Sequence, residues 1–433
     1  MLFLRHLTVA LLSAPAVGLA APQGAPGQSA PSLSLEEAVA IASAHAGDAE
    51  SSRGAVEAAG QMAVAAGRLP DPVLKLGVNN VPVNGSDAFS LSRDSMTMRS
   101  ISVMQEFTRA DKRRARAARF EAEAAAADAQ RAVGLAGVQR NAVNAWLDRW
   151  YAEQAGVLLG HHSHPLELAL QAATAAYRSG RGSRADVLAM ELEIQKLHDR
   201  EDENRAALAT ATLNLERWVG AAAGRPLSER PPLEVPPGAR QLARGEFEAV
   251  PELSAAQRDV ALAESEIQVA TEARKPDVTV ELMYSQRGSA YSNMGSLNVS
   301  FPLPWDRGNR QDREISARLA QANDARARLE MVRRNTQAMV GARLAELQRN
   351  LDRLRRYDDK TLPLARAQAD AALTAYRAST GTLVAVAEAN HRAIDTAMDR
   401  LLLEAKTAKL WADLNYLVPL PTAQTEAAAR EAK

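Results

Sequence analysis

The sequence of 433 residues contains no cysteine, few aromatic residues (4%) and no excess of either charge. The absence of cysteine excludes disulfides, a thiolate nucleophile and thiolate metal sites. A formal net charge of zero implies neither nucleic acid nor an acidic surface as a partner. No GxSxG motif, paired-carboxylate pocket or cofactor fingerprint is recognisable, so the sequence predicts neither an enzyme nor a bound cofactor.

Long apolar runs are also missing, apart from residues 7–19. That run follows Arg5 and His6 and ends in small residues suited to cleavage after Ala20, which predicts a secretory signal peptide over residues 1–20. Residues 21–33, rich in Pro, Gly, Gln and Ser, are predicted to be a flexible lead. No later stretch approaches the ~18 apolar residues that a membrane-spanning helix needs. We therefore predict an exported protein without a helical membrane anchor.

The most informative feature of the chain is an internal repeat. Residues 34–219 and 248–418 are each predicted to form a helix, two strands, a long helix, a turn and a second long helix. Tyr177 and Gly182 of the first repeat recur at the same spacing as Tyr376 and Gly381 of the second. Residues 220–247 contain five prolines and are predicted to be a linker without regular structure, and residues 419–433 a disordered tail. A repeat that cannot bury its own faces points to an array or a closed assembly.

Four segments alternate apolar and polar residues, as strands with one apolar face do. Their connections, near residues 81–95 and 285–295, are polar, which predicts two hairpins. Such hairpins fit either a small sheet packed on helices in a soluble protein or part of an outer-membrane barrel. Four strands cannot close a barrel, so the second interpretation requires several copies of the chain. The predicted apolar faces contain Leu74, Leu76, Val78, Ile101, Val103, Phe107, Val278, Val280, Leu282, Tyr284, Leu297, Val299 and Phe301. The predicted polar faces contain Lys75, Asn79, Ser100, Ser102, Gln105, Asp277, Thr279, Glu281, Ser296, Asn298 and Ser300.

Each hairpin precedes a very long helical pattern. The first extends from Lys112 to Arg178, on the order of 100 Å at ~1.5 Å per residue, with one possible break at His164-Pro165. The second covers residues 308–377, with Pro363 at nearly the same repeat position. Helices of this length favour a tube or a bundle. A coiled-coil seam is predicted at Val340, Leu344, Leu347, Leu351 and Leu354.

Three groups of residues are singled out as possible functional features. His161, His162 and His164 form the only histidine cluster, and a solvated helix break is a better interpretation of it than a loose metal site, because cysteine, HExxH spacing and a carboxylate set are missing. Gly180 and Gly182 predict a tight turn between two long helices. The basic cluster at the start of the first long helix is predicted to be solvated or to face lipid headgroups; it contains Lys112, Arg113, Arg114, Arg116 and Arg119.

The repeated pattern resembles the TolC family of outer-membrane efflux proteins over nearly the whole mature chain. The segment from Phe301 to Asn309, FPLPWDRGN, is similar to the PLPLFDR stretch of the heavy-metal, CzcC-like group. The turn from Tyr177 to Gly180 resembles the YxxG turn of the periplasmic tip. In the second repeat, Ser379 and Ala385 stand where the first has Gly180 and Asp186, which departs from a symmetric tip.

This resemblance implies a mainly α fold with a small β part. Long α-helical hairpins would form a periplasmic tunnel, and four strands per chain would contribute to a trimeric, twelve-stranded outer-membrane β-barrel. Lys75, Asn298 and Ser300 would face the lumen, and Leu76, Val103, Val280 and Val299 the lipid. Gly180 and its neighbours would touch an adaptor, and Asp186 would join an acidic ring or, alternatively, carry ordinary helix-end charge. The implied tip residues are Tyr177, Gly180, Arg181, Gly182, Arg184, Asp186, Tyr376 and Gly381.

The implied function is a passive conduit of a tripartite efflux system in the outer membrane. Its partners would be two further copies, a periplasmic adaptor (membrane fusion protein), an inner-membrane RND-type pump and outer-membrane lipid, with no cofactor. Heavy-metal cations are the expected substrate. The alternatives are multidrug efflux, type I secretion, and a soluble periplasmic metal-binding helical scaffold centred on His161, His162 and His164.

Overall fold

The computed structural model of the protein describes residues 32–45, 47–230, 232–247 and 249–420. The predicted signal peptide, residues 21–31 of the predicted lead and residues 421–433 of the predicted tail lie outside the described residues. The α-helices are α1 (Leu35–His45), α2 (Gly47–Ala66), α3 (Ala110–Arg178), α4 (Arg184–Val219), α5 (Pro237–Ala243), α6 (Pro251–Ala273), α7 (Gln311–Arg356), α8 (Leu362–Arg377) and α9 (Leu383–Asn415). The strands are β1 (Val73–Asn79), β2 (Met98–Phe107), β3 (Val278–Gln286) and β4 (Met294–Ser300).

The four strands form one antiparallel sheet in the order β1-β2-β3-β4. Each predicted hairpin is present, and the pairing of β2 with β3, from Arg99–Gln286 to Phe107–Val278, joins the two repeats. β1 and β4 form the outer edges of the sheet and have no further strand partner among the described residues. The sheet therefore ends in two open edges within one chain.

Four helices, α2, α3, α6 and α7, adjoin β1, β2, β3 and β4 in the sequence and lie side by side in the same order. α2 packs on α3, α3 on α6, and α6 on α7, so that they form a single-layered wall. The long helices also form two helical hairpins, α3–α4 and α8–α9, which pack against each other through contacts of α9 with α3 and α4. The accessible surface of 27684 Å² is well above the roughly 16,000 Å² expected for a compact monomer of this mass. Within the described residues, no helix is both long and apolar enough to cross a membrane.

The predicted break at His164-Pro165 is wrong, because α3 continues through Pro165 for all of its 69 residues. Pro165 costs the helix one backbone hydrogen bond, but the neighbouring helices hold the chain in place: Leu166, the next residue, packs with Leu159 of α3, Leu197 of α4 and Ile394 of α9. The second repeat accommodates Pro363 with a different backbone geometry. A π-helical turn over Tyr357–Thr361 precedes Pro363, and the N–H of Leu362 donates to the carbonyl of Tyr357, five residues back.

The residues between the repeats do not lack regular structure, contrary to the prediction. Residues 220–224 form a 3₁₀ turn, residues 237–243 form α5, and Leu227 pairs with Leu33 as a parallel bridge. Leu33, placed in the flexible lead by the sequence, is fully buried, and its carbonyl accepts the indole N–H of Trp146 at 3.1 Å. These segments complete the largest apolar core, which also contains Leu347 and Trp411.

The predicted seam of α7 and the start of the predicted tail both pack on this body. Val340, Leu347 and Leu354 are buried, and Leu344 and Leu351 pack against the same core, which confirms their common face. Leu420 is held by a pair of hydrogen bonds with the Gln139 side chain, at 2.9 and 3.1 Å. Leu420, which the sequence places in the predicted tail, is therefore attached to the helical body.

Candidate functional site

The sheet has one apolar and one polar face, as its sequence alternation predicts. The register places Leu74, Val103, Leu282 and Leu297 in one row on the same face, because residues paired across antiparallel strands share a face. Within the described residues nothing covers this face, and Leu76 is 74% exposed. A contiguous apolar surface of this kind requires a partner or a lipid environment. We call it the apolar face; it contains Leu74, Leu76, Val78, Ile101, Val103, Phe107, Val278, Val280, Leu282, Tyr284, Leu297 and Val299.

Gln105 is a correction to the predicted faces. It pairs with Val280 and so lies on the apolar face rather than on the polar one. Its amide nitrogen donates to the carbonyls of Pro70 and Glu106, both at 2.8 Å, at the end of the sheet nearest the helices. Two backbone carbonyls therefore accept the hydrogen bonds of the Gln105 amide group.

The polar face carries an ion pair that sequence reasoning missed. Lys75 Nζ lies 3.3 Å from Glu281 Oε1, and the Ser102 hydroxyl donates to the same oxygen at 2.7 Å. Lys75 is on β1 and Glu281 on β3, so the contact crosses β2 diagonally. The sequence shows only that Lys75 and Glu281 each fall on the polar face of a strand, which does not predict that they meet. The contact balances one positive against one negative charge in the middle of this face.

Lys112 belongs to the interior and not, as predicted, to a solvated basic cluster. Its ammonium group is 2.6 Å from Asp277 Oδ2 and donates to the carbonyl of Lys275 at 2.9 Å, and its side chain is 8% exposed. The other carboxylate oxygen accepts the backbone N–H of Arg109 at 3.1 Å. Burial by itself would raise the pKa of Asp277, but the hydrogen bonds from Lys112 and Arg109 outweigh it and lower that pKa. The pair fastens the start of α3 to the start of β3.

The two helical tips have the same hydrogen-bonded turn, 199 residues apart. In the first, Gly180 N–H donates to Tyr177 O and Gly182 N–H to Ala176 O; in the second, Ser379 donates to Tyr376 O and Gly381 to Ala375 O. Gly180 has a φ of 75°. Gly182 and Gly381 cannot carry a side chain without displacement, because a Cβ would lie about 3 Å from the preceding helix. The structure thus confirms the predicted turn at both tips.

Ser183 and Asp186 form a capping box at the start of α4, with Ser183 as the N-cap residue. Asp186 Oδ2 accepts the N–H of Ser183 at 3.1 Å and the Ser183 hydroxyl at 2.7 Å, while the N–H of Asp186 donates to the Ser183 hydroxyl. This capping box is incomplete at the second tip, where Thr382 caps Ala385 without a carboxylate. Helix-end charge, one of the two interpretations offered by the sequence, therefore describes Asp186 within one chain.

The remaining predicted tip residues lie around these turns. Arg181 Nε donates to the Ser179 hydroxyl at 3.2 Å, and Arg184 is the first residue of α4. Tyr177 is 47% exposed, whereas Tyr376 packs on a small core shared by the two repeats. That core holds the two tips together and contains Ala173, Met190, Leu383, Val386 and Ala387.

Comparison with known proteins identifies the fold. Residues 247–418 match the family described as outer membrane efflux protein. No protein with a curated function matches the sequence significantly. The outer membrane protein VceC of Vibrio cholerae superposes with a TM-score of 0.72 at 15% identity, over 88% of this chain and 95% of that one. The CmeC outer membrane channel of Campylobacter jejuni gives 0.70 at 11% identity, over 92% and 88%. This chain has the outer-membrane channel fold.

The channel structure of CusC is a further neighbour of this fold, with a TM-score of 0.63 at 13% identity over 88% of this chain and 91% of that one. The family match covers the second repeat, whereas the structural matches cover both. The heavy-metal group of the sequence resemblance stays a prediction.

His161, His162 and His164, the candidate metal ligands, all lie in one stretch of α3. Burial, then His161 and Arg366, lower the pKa of His162, which disfavours a charged imidazolium there. No group of three or more histidine and carboxylate side chains in the described ranges is arranged to hold a metal ion. His161 and His164 therefore receive no support as ligands from the side chains around them.

A fourth histidine, His391, makes the contacts that sequence reasoning missed. Its Nδ1 is 3.0 Å from Glu193 on α4, and its Nε2 is 3.3 Å from Asp395 on α9. Arg200 on α4 contacts the same Asp395 at 2.7 Å. The network links the two hairpins of the channel fold above the tip. Its members lie almost 200 residues apart, so the sequence offered no local signal for it.

Proposed function

We propose that the protein is the outer-membrane channel subunit of a tripartite efflux system and acts as a passive conduit, not as an enzyme. The observation that carries the proposal is the uncovered apolar face of the sheet, next to a long, single-layered helical wall with two open edges. The family match to residues 247–418 and the channel fold support it. Lipid would cover the apolar face, and the polar face would line an aqueous lumen.

Closure of the sheet explains why several copies are required. An open strand edge in hydrocarbon leaves N–H and C=O groups without partners, at several kcal/mol each. β4 of one copy would pair with β1 of the next, and three copies would close a barrel of twelve strands. α7 of one copy would in the same way meet α2 of the next and continue the helices into a periplasmic tunnel. A homotrimer therefore satisfies both edges at once.

The helical tips are the proposed contact with the rest of the system. They lie at the end of the molecule opposite the sheet, where they would reach a periplasmic adaptor that engages an inner-membrane RND-type pump. Exposed Tyr177, Gly180 and Arg181 would contact the adaptor. Three copies would bring three Asp186 side chains towards the tunnel axis, in addition to their capping role.

Metal cations are the substrate class that we favour. The support is the likeness of the segment from Phe301 to Asn309 to the heavy-metal group. Multidrug efflux and type I secretion use the same fold and are the alternatives. Deletion of the gene tests this point: loss of resistance to metal salts supports metal export, whereas loss of drug resistance or of a secreted protein overturns it.

Fractionation and electrical recording of the purified chain test the channel itself. We expect a detergent-extracted, heat-modifiable trimer from the outer membrane that conducts ions in planar bilayers. A monomer that is released without detergent would overturn the proposal. That outcome would favour the periplasmic scaffold, which metal titration of wild type against a variant lacking His161, His162 and His164 would then examine.

A further inference from the structure

The segment that follows β4 continues the apolar face beyond the end of the sheet. Phe301, Leu303 and Trp305 keep the alternation of Leu297 and Val299, and they are 55%, 64% and 91% exposed. Trp305 is the most exposed of the large apolar side chains in the described residues. Three exposed apolar side chains at alternate positions, which no described residue of the chain covers, require an apolar partner.

Prolines prevent this segment from pairing with another strand. Pro302 and Pro304 have no N–H to donate, and on the opposite edge of the sheet Pro70 and Pro72 precede β1. β1 begins and β4 ends next to the helices, so the two pairs of prolines lie at the same level of the sheet. Pairing between neighbouring copies would therefore stop at this level. Edge pairing with a strand of a second copy therefore does not extend along Phe301, Leu303 and Trp305.

Cationic side chains follow immediately. Arg307 and Arg310 are exposed, and neither has an ion-pair partner among the residues that the structure describes. Asp306, by contrast, is occupied by the Asn309 amide at 3.0 and 3.1 Å. An apolar row that ends in an exposed indole and is followed by free guanidinium groups matches the boundary between acyl chains and phosphate headgroups.

We propose that residues 301–310 bind the periplasmic leaflet of the outer membrane. Phe301 and Leu303 contact acyl chains, Trp305 lies at the level of the glycerol and headgroups, and Arg307 and Arg310 bind lipid phosphates. The proposal rests on the proposed function, because it needs the sheet to lie in a membrane. By its secondary structure, the segment is only a connector between β4 and α7. The proposal gives this connector a second role as a membrane contact.

Depth-dependent quenching of tryptophan fluorescence tests the proposal. The purified protein is reconstituted into phosphatidylethanolamine–phosphatidylglycerol vesicles with bromine atoms either near the glycerol or deep in the acyl chains. The chain has five tryptophans, so we expect shallow bromine to remove about a fifth of the emission of wild type and deep bromine less. Trp305→Phe should abolish this quenching. Trp218→Phe, which alters a half-buried tryptophan of the helical body, is the matched control and should retain it.

Trimer formation and conductance are measured on the same vesicles, so that the two proposals fail separately. Conducting trimers in which Trp305 escapes both bromine positions overturn the membrane contact alone. Stronger quenching by deep than by shallow bromine also overturns the assignment, because Trp305 would then lie in the hydrocarbon and Arg307 could not reach phosphate. A wild-type chain that does not enter vesicles overturns both proposals.

Discussion

Lys75 Nζ and Glu281 Oε1 are 3.3 Å apart although a whole strand, β2, separates the strands that carry them. Ser102 on that middle strand donates its hydroxyl to the same carboxylate oxygen. The three residues therefore tie β1, β2 and β3 together on the polar face. In the proposed trimer this face lines the lumen, and the pair cancels its own charge there.

Ion selectivity should depend on this cancellation. Lys75→Met leaves Glu281 without its cation, so three uncompensated carboxylates would line the lumen, and we expect a shift of the reversal potential towards cation selectivity in a KCl gradient. Glu281→Gln should shift it in the opposite direction. The double variant should restore the wild-type value, and equal reversal potentials in all four proteins would contradict the lumenal position of the pair.

Insertion of the proposed channel into the outer membrane should depend on which face of the sheet is altered. Val280→Arg places a charge on the apolar face, and we expect fewer heat-modifiable trimers in outer-membrane fractions. Leu282→Arg, one row further from the helices, should act more strongly, because the cost rises to about 2–4 kcal/mol towards the bilayer midplane. Ser300→Arg on the polar face is the control and should assemble normally. Wild-type amounts of the Val280→Arg trimer would refute the assigned orientation.

The two tip turns offer a matched pair of substitutions. Ser379 has a φ of 60° where Gly180 has 75°, and a side chain in this left-handed region is strained. We expect Ser379→Gly to stabilise the second turn by up to about 1 kcal/mol and Gly180→Ser to destabilise the first by a similar amount. Hydrogen exchange of the turn amides measures both effects. A faster exchange in Ser379→Gly would contradict the strain.

The buried pair of Lys112 and Asp277 should make stability depend on acid pH. The pKa of Asp277 is lower in the folded chain, so its carboxylate stabilises the fold at pH values above its unfolded pKa of about 4, and this stabilisation is lost as the pH falls through the folded value. Asp277→Asn leaves Lys112 buried without a counter-charge and should cost about 3 kcal/mol at pH 7. The deficit relative to wild type should shrink towards pH 3 in thermal unfolding.

Asp71 provides the control for this experiment. It precedes β1 as Asp277 precedes β3, but it is exposed and forms no ion pair within the described part of the chain. Asp71→Asn should therefore unfold like wild type at both pH values. A deficit of Asp277→Asn that stays constant from pH 7 to pH 3 would show that the carboxylate charge does not stabilise the pair.

Features with a short period could be predicted from the sequence. The two faces of the strands, the common buried face of Val340 and Leu347 on α7, and the turn at Gly180 depend on residues close together in the chain. Side-chain polarity predicts the wrong face for Gln105, whereas its position in the alternation gives the apolar face. Local propensity predicts a break at Pro165, because it takes no account of the neighbouring helices that hold α3 together.

The sequence by itself determined the repeat, the long helices, the two hairpins and one apolar face per strand, because periodicity and turn chemistry are local. Only the tertiary structure decided that β2 pairs with β3 across the two repeats. It also decided that Lys112 is buried against Asp277 and that Lys75 meets Glu281 across a strand. The physical reason is that strand register and the burial of a charge depend on partners more than 150 residues away, and no short-range pattern encodes them.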